Sequence, residues 1–182
     1  MEPMENKGKV AENIGKTELS IEELRAKLME VTAEFRKKQD ELNSQIYLQG
    51  KDEFADVSLE KLLVEGEALH VGNIQNIKFT LKTMTKAETL HVDKLSKKYI
   101  GESMDYYNSA VQVDTLAFAL REYNGNKSPE LLLGDKDFET QFNKAREAVQ
   151  SLSDVATEKI FFIYSKLNRW IRSALEINFK SL

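Results

Sequence analysis

Two histidines, His70 and His91, are the residues whose type best suits metal binding or proton transfer near neutral pH. The chain has no cysteine, so a zinc site would need carboxylates beside these two imidazoles. The eight glycines are scattered and form no phosphate-binding loop, and no serine lies in a nucleophile-elbow pattern. We therefore expect no metal site, no cofactor and no catalytic residue. An enzyme of unrecognised type is kept as a third hypothesis.

Two groups of residues could bind nucleic acid. Trp170 lies between Arg169 and Arg172, a combination able to stack on bases, but it also continues an apolar helical stripe, which favours a place in the core. The second group could contact an acidic partner or nucleic acid, although a solvated face is the interpretation we favour: Lys78, Lys82, Lys86, Lys94, Lys97 and Lys98. The formal net charge of −4 argues against a general nucleic-acid binder, so no nucleic acid is expected as a partner.

Asp114 is an acidic residue within the most apolar stretch of the chain, between Val111 and Phe118. A nearby arginine or tyrosine could neutralise it, it could lie at the edge of a solvated strip, or it could face a partner chain. We include it among the candidate partner-binding residues.

The first periodic element begins at Ser20, which forms an S-x-x-E capping box with Glu23. Its apolar residues follow a heptad spacing that Lys38 and Gln45 later interrupt: Ile21, Leu24, Leu28, Val31, Phe35 and Leu42. This pattern predicts either an amphipathic helix lying on its own domain or a helix that pairs with another chain. Under the second interpretation Leu24, Leu28, Val31, Phe35 and Leu42 bind the partner.

The predicted domain organisation has three parts. Residues 1–19 form a polar N-terminal arm, residues 20–50 a long amphipathic, coiled-coil-like helix, and residues 51–182 a helical domain with a small β-hairpin. A polar linker is expected at 49–56. No apolar run approaches the roughly 20 residues that a membrane-spanning helix needs.

A β-hairpin is predicted from residues 68–71 and 76–83, joined by a turn at Gly72–Asn73. Ile77, Phe79 and Leu81 alternate with polar residues and should form its buried face. Because two strands alone are marginally stable, a helix beneath the hairpin or strands of neighbouring subunits must support it.

Helices account for most of the remaining chain. Thr85 and Glu88 form a second capping box, followed by an apolar set of Ala87, Leu90 and Leu95. Further helices are predicted over 104–124, 136–150 and about 154–178. The expected fold is therefore mostly α, an α+β arrangement with one small β-hairpin and a long N-terminal helix.

Three stretches together resemble tailed-phage tail-assembly chaperones and the related baseplate-hub proteins of contractile-tailed phages. IKFTLKTMTKAETLHVDKL, residues 77–95, resembles their strand that leads into a T-x-x-E helix. YYNSAVQVDTLAFALREYNG is similar to their next helix, and SKLNRWIRSALEINFKSL to their terminal helix. The resemblance covers about residues 75–182.

The resemblance implies a non-enzymatic structural or assembly component of a phage tail or baseplate, made in the host bacterial cytoplasm and located in the virion. Its partners would be other tail or baseplate proteins or further copies of itself. Residues 1–50 depart from the short chaperones, which favours a permanent tail component over a transient chaperone. The alternative is a cellular coiled-coil adaptor or scaffold protein with a helical head domain.

Overall fold

A computed structural model describes residues 20–180 of the protein, with side chains as far as residue 177. The predicted arm 1–19 lies outside the described residues. The helices are α1 (Ile21–Gly50), α2 (Leu59–Glu65), α3 (Lys86–Ser96), α4 (Met104–Ala119), α5 (Phe138–Gln150) and α6 (Asp154–Lys180). The strands are β1 (Leu69–Ile74), β2 (Ile77–Lys82), β3 (Leu120–Tyr123) and β4 (Asn126–Lys127). The predicted mostly α fold with a small β component is confirmed.

The four strands form one antiparallel sheet in the order β1-β2-β3-β4. The β1–β2 hairpin exists, but its turn is at Gln75 and Asn76, and the prediction of a turn at Gly72–Asn73 is wrong. Gly72 instead pairs with Phe79 inside the hairpin. A Cβ atom at position 72 would overlap the Phe79 ring, so this glycine makes room for a core side chain.

The sheet extends beyond the hairpin because α4 ends earlier than predicted. The predicted helix 104–124 stops at Ala119, and residues 120–123 pair with β2 as β3. Asn124 and Gly125 then form a two-residue turn in which both residues have positive φ, so β4 folds back onto β3. Asn-Gly is a strong hairpin signal. The hairpin, for which a helix beneath it or strands of neighbouring subunits were expected as support, is paired through β2 with β3 of the same chain.

The capping box at the start of α3 is present as predicted. The Thr85 side chain accepts a hydrogen bond from the Glu88 backbone N–H, and the Glu88 carboxylate accepts one from the Thr85 N–H. The apolar set Ala87, Leu90 and Leu95 does not form the buried face of this helix, however. Leu90 is exposed, whereas Glu88 and Val92 are buried, because α4 covers that side of the helix and Lys82 at the end of β2 contacts Glu88.

Within the described residues the core consists of three hydrophobic clusters; α4 contributes to the first two and α6 to the first and third. One lies between the sheet and α6, with Phe79, Leu81, Leu116 and Ile160 fully buried. A second joins α4, α5 and α3, and a third surrounds Trp170. The second half of α4 is buried continuously from residue 113 to 119, so the most apolar stretch of the chain lies in the core.

The chain divides into two compact units inside α1, after Glu41, rather than at the end of the predicted helix 20–50. The last turns of α1 belong to the second unit, where the Asn43 side chain bonds to Glu176. The segment that follows is not an exposed polar linker, because Phe54 is only 1% exposed and packs against Trp170.

Candidate functional site: the apolar stripe of α1

The stripe of α1 consists of Ile21, Leu24, Leu28, Val31, Phe35 and Leu42. The capping box predicted at its N-terminus is formed, with the Ser20 N–H donating to Glu23 at 2.8 Å and the Glu23 N–H donating to the Ser20 hydroxyl at 3.2 Å. The positive end of the helix dipole also stabilises the Glu23 carboxylate. The local sequence therefore defines where this helix begins and which residues share its face.

These six side chains are between 52% and 70% exposed, which is unusual for a row of large apolar residues at heptad spacing. Single apolar residues scattered on a surface need no explanation, but a row of them at heptad spacing is the pattern of an interface. The exposure matches the interpretation in which the stripe pairs with another chain. Leu24, Leu28, Val31, Phe35 and Leu42 therefore stand as the candidate partner-binding residues.

Asp114, the sixth candidate, does not belong to this surface. It is 0% exposed, and its carboxylate forms an ion pair with Arg146 Nε at 2.7 Å. The Tyr99 hydroxyl donates a hydrogen bond to its other oxygen at 2.8 Å. This is the first of the three alternatives, an acid neutralised by a nearby arginine and tyrosine, and the assignment of Asp114 to a partner contact is corrected.

The buried acid also changes the chemistry of Tyr99. Burial, together with the hydrogen bond to the Asp114 carboxylate, raises the pKa of the Tyr99 phenol to about 12. Arg146 donates a hydrogen bond to the same hydroxyl at 3.2 Å. Asp114 Oδ1 and Arg146 Nε are paired by charge at 2.7 Å without the geometry of a hydrogen bond. The phenol stays protonated across the physiological range.

The two histidines lie in different clusters. His70 Nδ1 is 2.9 Å from Asp56 Oδ1, and the other oxygen of Asp56 accepts a hydrogen bond from the Val71 N–H of β1. His91 packs edge-on against phenylalanine rings of the second cluster, with the nearest, Phe138, at 5.1 Å between centroids. Within residues 20–177 no group of three or more His, Asp or Glu side chains could hold a metal ion.

Trp170 is part of the core rather than a base-stacking platform. Its indole N–H donates to the Tyr47 carbonyl at 3.1 Å, and its ring stacks on that of Tyr47 with 5.9 Å between centroids. The flanking Arg169 and Arg172 are exposed, so the interpretation in which the tryptophan continues the apolar stripe of α6 is confirmed.

Lys82 is the exception among the lysines expected to be solvated. It is 2% exposed, and its Nζ lies 2.6 Å from Glu88 Oε1 and 3.5 Å from Glu67 Oε2. The alternation of apolar and polar residues along β2 predicted that Lys82 lies on a solvent-exposed face, but residues 81–83 are all buried. Sequence reasoning missed this ion pair because its members come from β2, α3 and the segment before β1, and no local pattern links them.

The buried polar side chains described above contact partners within the fold, whereas the stripe of α1 is an exposed row of apolar side chains at heptad spacing. What it can do chemically is bury apolar area against another surface. None of the helices within residues 20–180 combines the length and apolarity that crossing a membrane requires.

Comparisons of this chain with protein-family models, with curated proteins and with solved structures found no match.

Proposed function

We propose that this protein is a non-enzymatic assembly component that acts through protein–protein contacts made by the stripe of α1. The single observation that carries this proposal is the row of exposed apolar residues at heptad spacing, between 52% and 70% exposed. Burying such a row stabilises a complex by roughly 25 cal/mol per Å² of apolar surface, before the costs of association are subtracted.

We place this assembly role in a bacteriophage tail or baseplate, with other tail or baseplate proteins as partners. The support is the resemblance over about residues 75–182. Its pattern of a short strand leading into a T-x-x-E helix corresponds to β2 and the capped α3. The protein would then be made in the host bacterial cytoplasm and reside in the virion.

The stripe is tested with Leu28→Asp and with Met29→Asp as a matched control. Both residues are exposed on α1, but only Leu28 belongs to the stripe. Because neither side chain is buried, the free energy of unfolding of each variant should lie within about 0.5 kcal/mol of the wild-type value. Leu28→Asp should abolish association, measured by analytical ultracentrifugation and by co-purification with tail proteins, while Met29→Asp should retain it.

A steep loss of stability in Leu28→Asp alone would show that the stripe belongs to a folded core and would remove the proposal. The phage setting is tested by immunoblotting for this protein in tails and virions purified from bacteria that carry its gene and produce phage. Absence of the chain from both would refute a virion component and leave the cellular coiled-coil adaptor as the surviving candidate.

A further inference from the structure

The charges beside the α1 stripe restrict what it can bind. With Ile21, Leu28 and Phe35 at one core position of the heptad, Lys27 and Glu34 occupy equivalent flanking positions one heptad apart. Both are exposed. Within residues 21–38 the helix thus carries one positive and one negative charge along the same side of one apolar row; the next equivalent position, Glu41, lies beyond this segment.

We infer that this stripe pairs with the stripe of a second copy of the same chain, the two helices running antiparallel. The inference rests on the proposed function, since it names the partner of the same surface. In this register Leu24 packs against Phe35 of the second copy and Leu28 against its Val31. The two-fold symmetry repeats each contact, as a closed dimer requires.

Charge complementarity selects this register. The antiparallel arrangement brings Lys27 of each copy beside Glu34 of the other, which makes two opposite-charge pairs. A parallel, in-register dimer instead places Lys27 beside Thr32 and Glu34 beside Gln39, which makes no ion pair.

Lys38 gives the second reason. It occupies a core position of the heptad, so a parallel dimer would place two lysines against each other in the seam. Such a like-charge contact is destabilising. The antiparallel register separates the two lysines and places each at an end of the overlap, opposite Ile21, where its ammonium group reaches water.

The paired segments extend over residues 21–38, about 27 Å at roughly 1.5 Å per residue. An interface of this length is small, so we expect a reversible dimer with a Kd in the micromolar range. Such a dimer would be strengthened when several copies are held together in an assembly.

Cysteine cross-linking tests the direction of the two helices, and the natural chain has no cysteine to interfere. A size-tagged Leu24→Cys chain is mixed with an untagged Phe35→Cys chain and treated with a short bismaleimide. The antiparallel register brings residues 24 and 35 of different copies together and separates equal positions by about 16 Å along the axis. We therefore expect the mixed product to dominate over the two products of like chains.

Charge reversal tests the proposed register without touching the apolar row. Lys27→Glu and Glu34→Lys should each weaken the dimer about tenfold at low salt, because two attractive pairs become repulsive. The double variant should restore the affinity. Lys37→Glu and Glu30→Lys, which make the same changes on the outer side of α1, should leave the Kd within about twofold.

Cross-linking of like chains only, or equal effects of the seam and control reversals, would overturn the antiparallel pairing. A chain that sediments as a monomer throughout the micromolar range would overturn self-association. These failures are distinguishable from failure of the proposed function, because a monomer that still co-purifies with tail proteins in a Leu28-dependent way retains the function and loses only this choice of partner.

Discussion

Asp114 is a residue whose type could serve a functional site but which stabilises the fold in this protein. Its negative charge lies inside the second unit, where burial alone would be costly, and Arg146 and Tyr99 both contact its carboxylate. The interaction is reciprocal, because the same carboxylate favours the protonated phenol of Tyr99.

The raised pKa of Tyr99 predicts a specific alkaline titration. We subtract the ultraviolet titration curve of Tyr99→Phe from that of the wild-type protein. The difference should show the ionisation of one phenol with a pKa of about 12. Because the folded-state pKa lies above the unfolded value of about 10, the phenol stabilises the fold fully below pH 10 and loses that contribution as the pH rises towards 12.

Asp114→Asn is the companion variant for this titration. Removing the carboxylate should lower the pKa of Tyr99 if the variant remains folded, because the phenolate would no longer lie beside a negative charge. A Tyr99 that titrates near 10 in the unchanged protein would show that the hydrogen bond to Asp114 does not persist in solution.

At the scale of elements, the junction of β2 and α3 combines a local signal with a non-local one. The capping box is encoded by four consecutive residues, whereas the ion pair between Glu88 and Lys82 depends on burial of the end of β2. Glu88 takes part in both interactions: one carboxylate oxygen accepts a hydrogen bond from the Thr85 N–H, and the other contacts the Lys82 ammonium group.

This double role predicts an ordered pair of stability losses. Thr85→Ala removes one cap and should cost about 1 kcal/mol. Glu88→Ala removes the reciprocal cap and leaves the buried Lys82 beside only the partly exposed Glu67, so it should cost roughly 3 kcal/mol or more. Urea unfolding measures both, and equal small losses would show that Lys82 reaches water.

At the scale of the whole molecule, the second hydrophobic cluster joins α3, α4 and α5 through a group of aromatic rings. Phe118 lies 5.0 Å from Phe142 and 6.1 Å from Phe138 between ring centroids, and it is 1% exposed. The packing of three helices depends on this side chain.

Phe118→Ala should therefore cost about 3–5 kcal/mol in the free energy of unfolding, because it leaves a cavity among rings that cannot collapse fully. Lys97→Ala, at an exposed position after α3, should remain within about 0.5 kcal/mol. Thermal and urea unfolding of both variants check the contrast, and similar small effects would mean that this cluster is not a core.

The sequence by itself determined the helical fold class, both capping boxes and the heptad spacing of the α1 stripe, because each is encoded over a few neighbouring residues. The Asn124–Gly125 hairpin was also readable, although a helix-ending glycine is an equally local interpretation of the same residues.

Only the tertiary structure decided which candidate residues are available to bind. It enclosed Asp114 and Lys82 with partners distant in sequence, placed Trp170 in the core, and left the α1 stripe exposed. Local periodicity defines the face on which a side chain lies, but burial depends on which elements cover that face. Those elements are brought there by contacts between residues far apart in the chain, as the pairing of β3 with β2 shows.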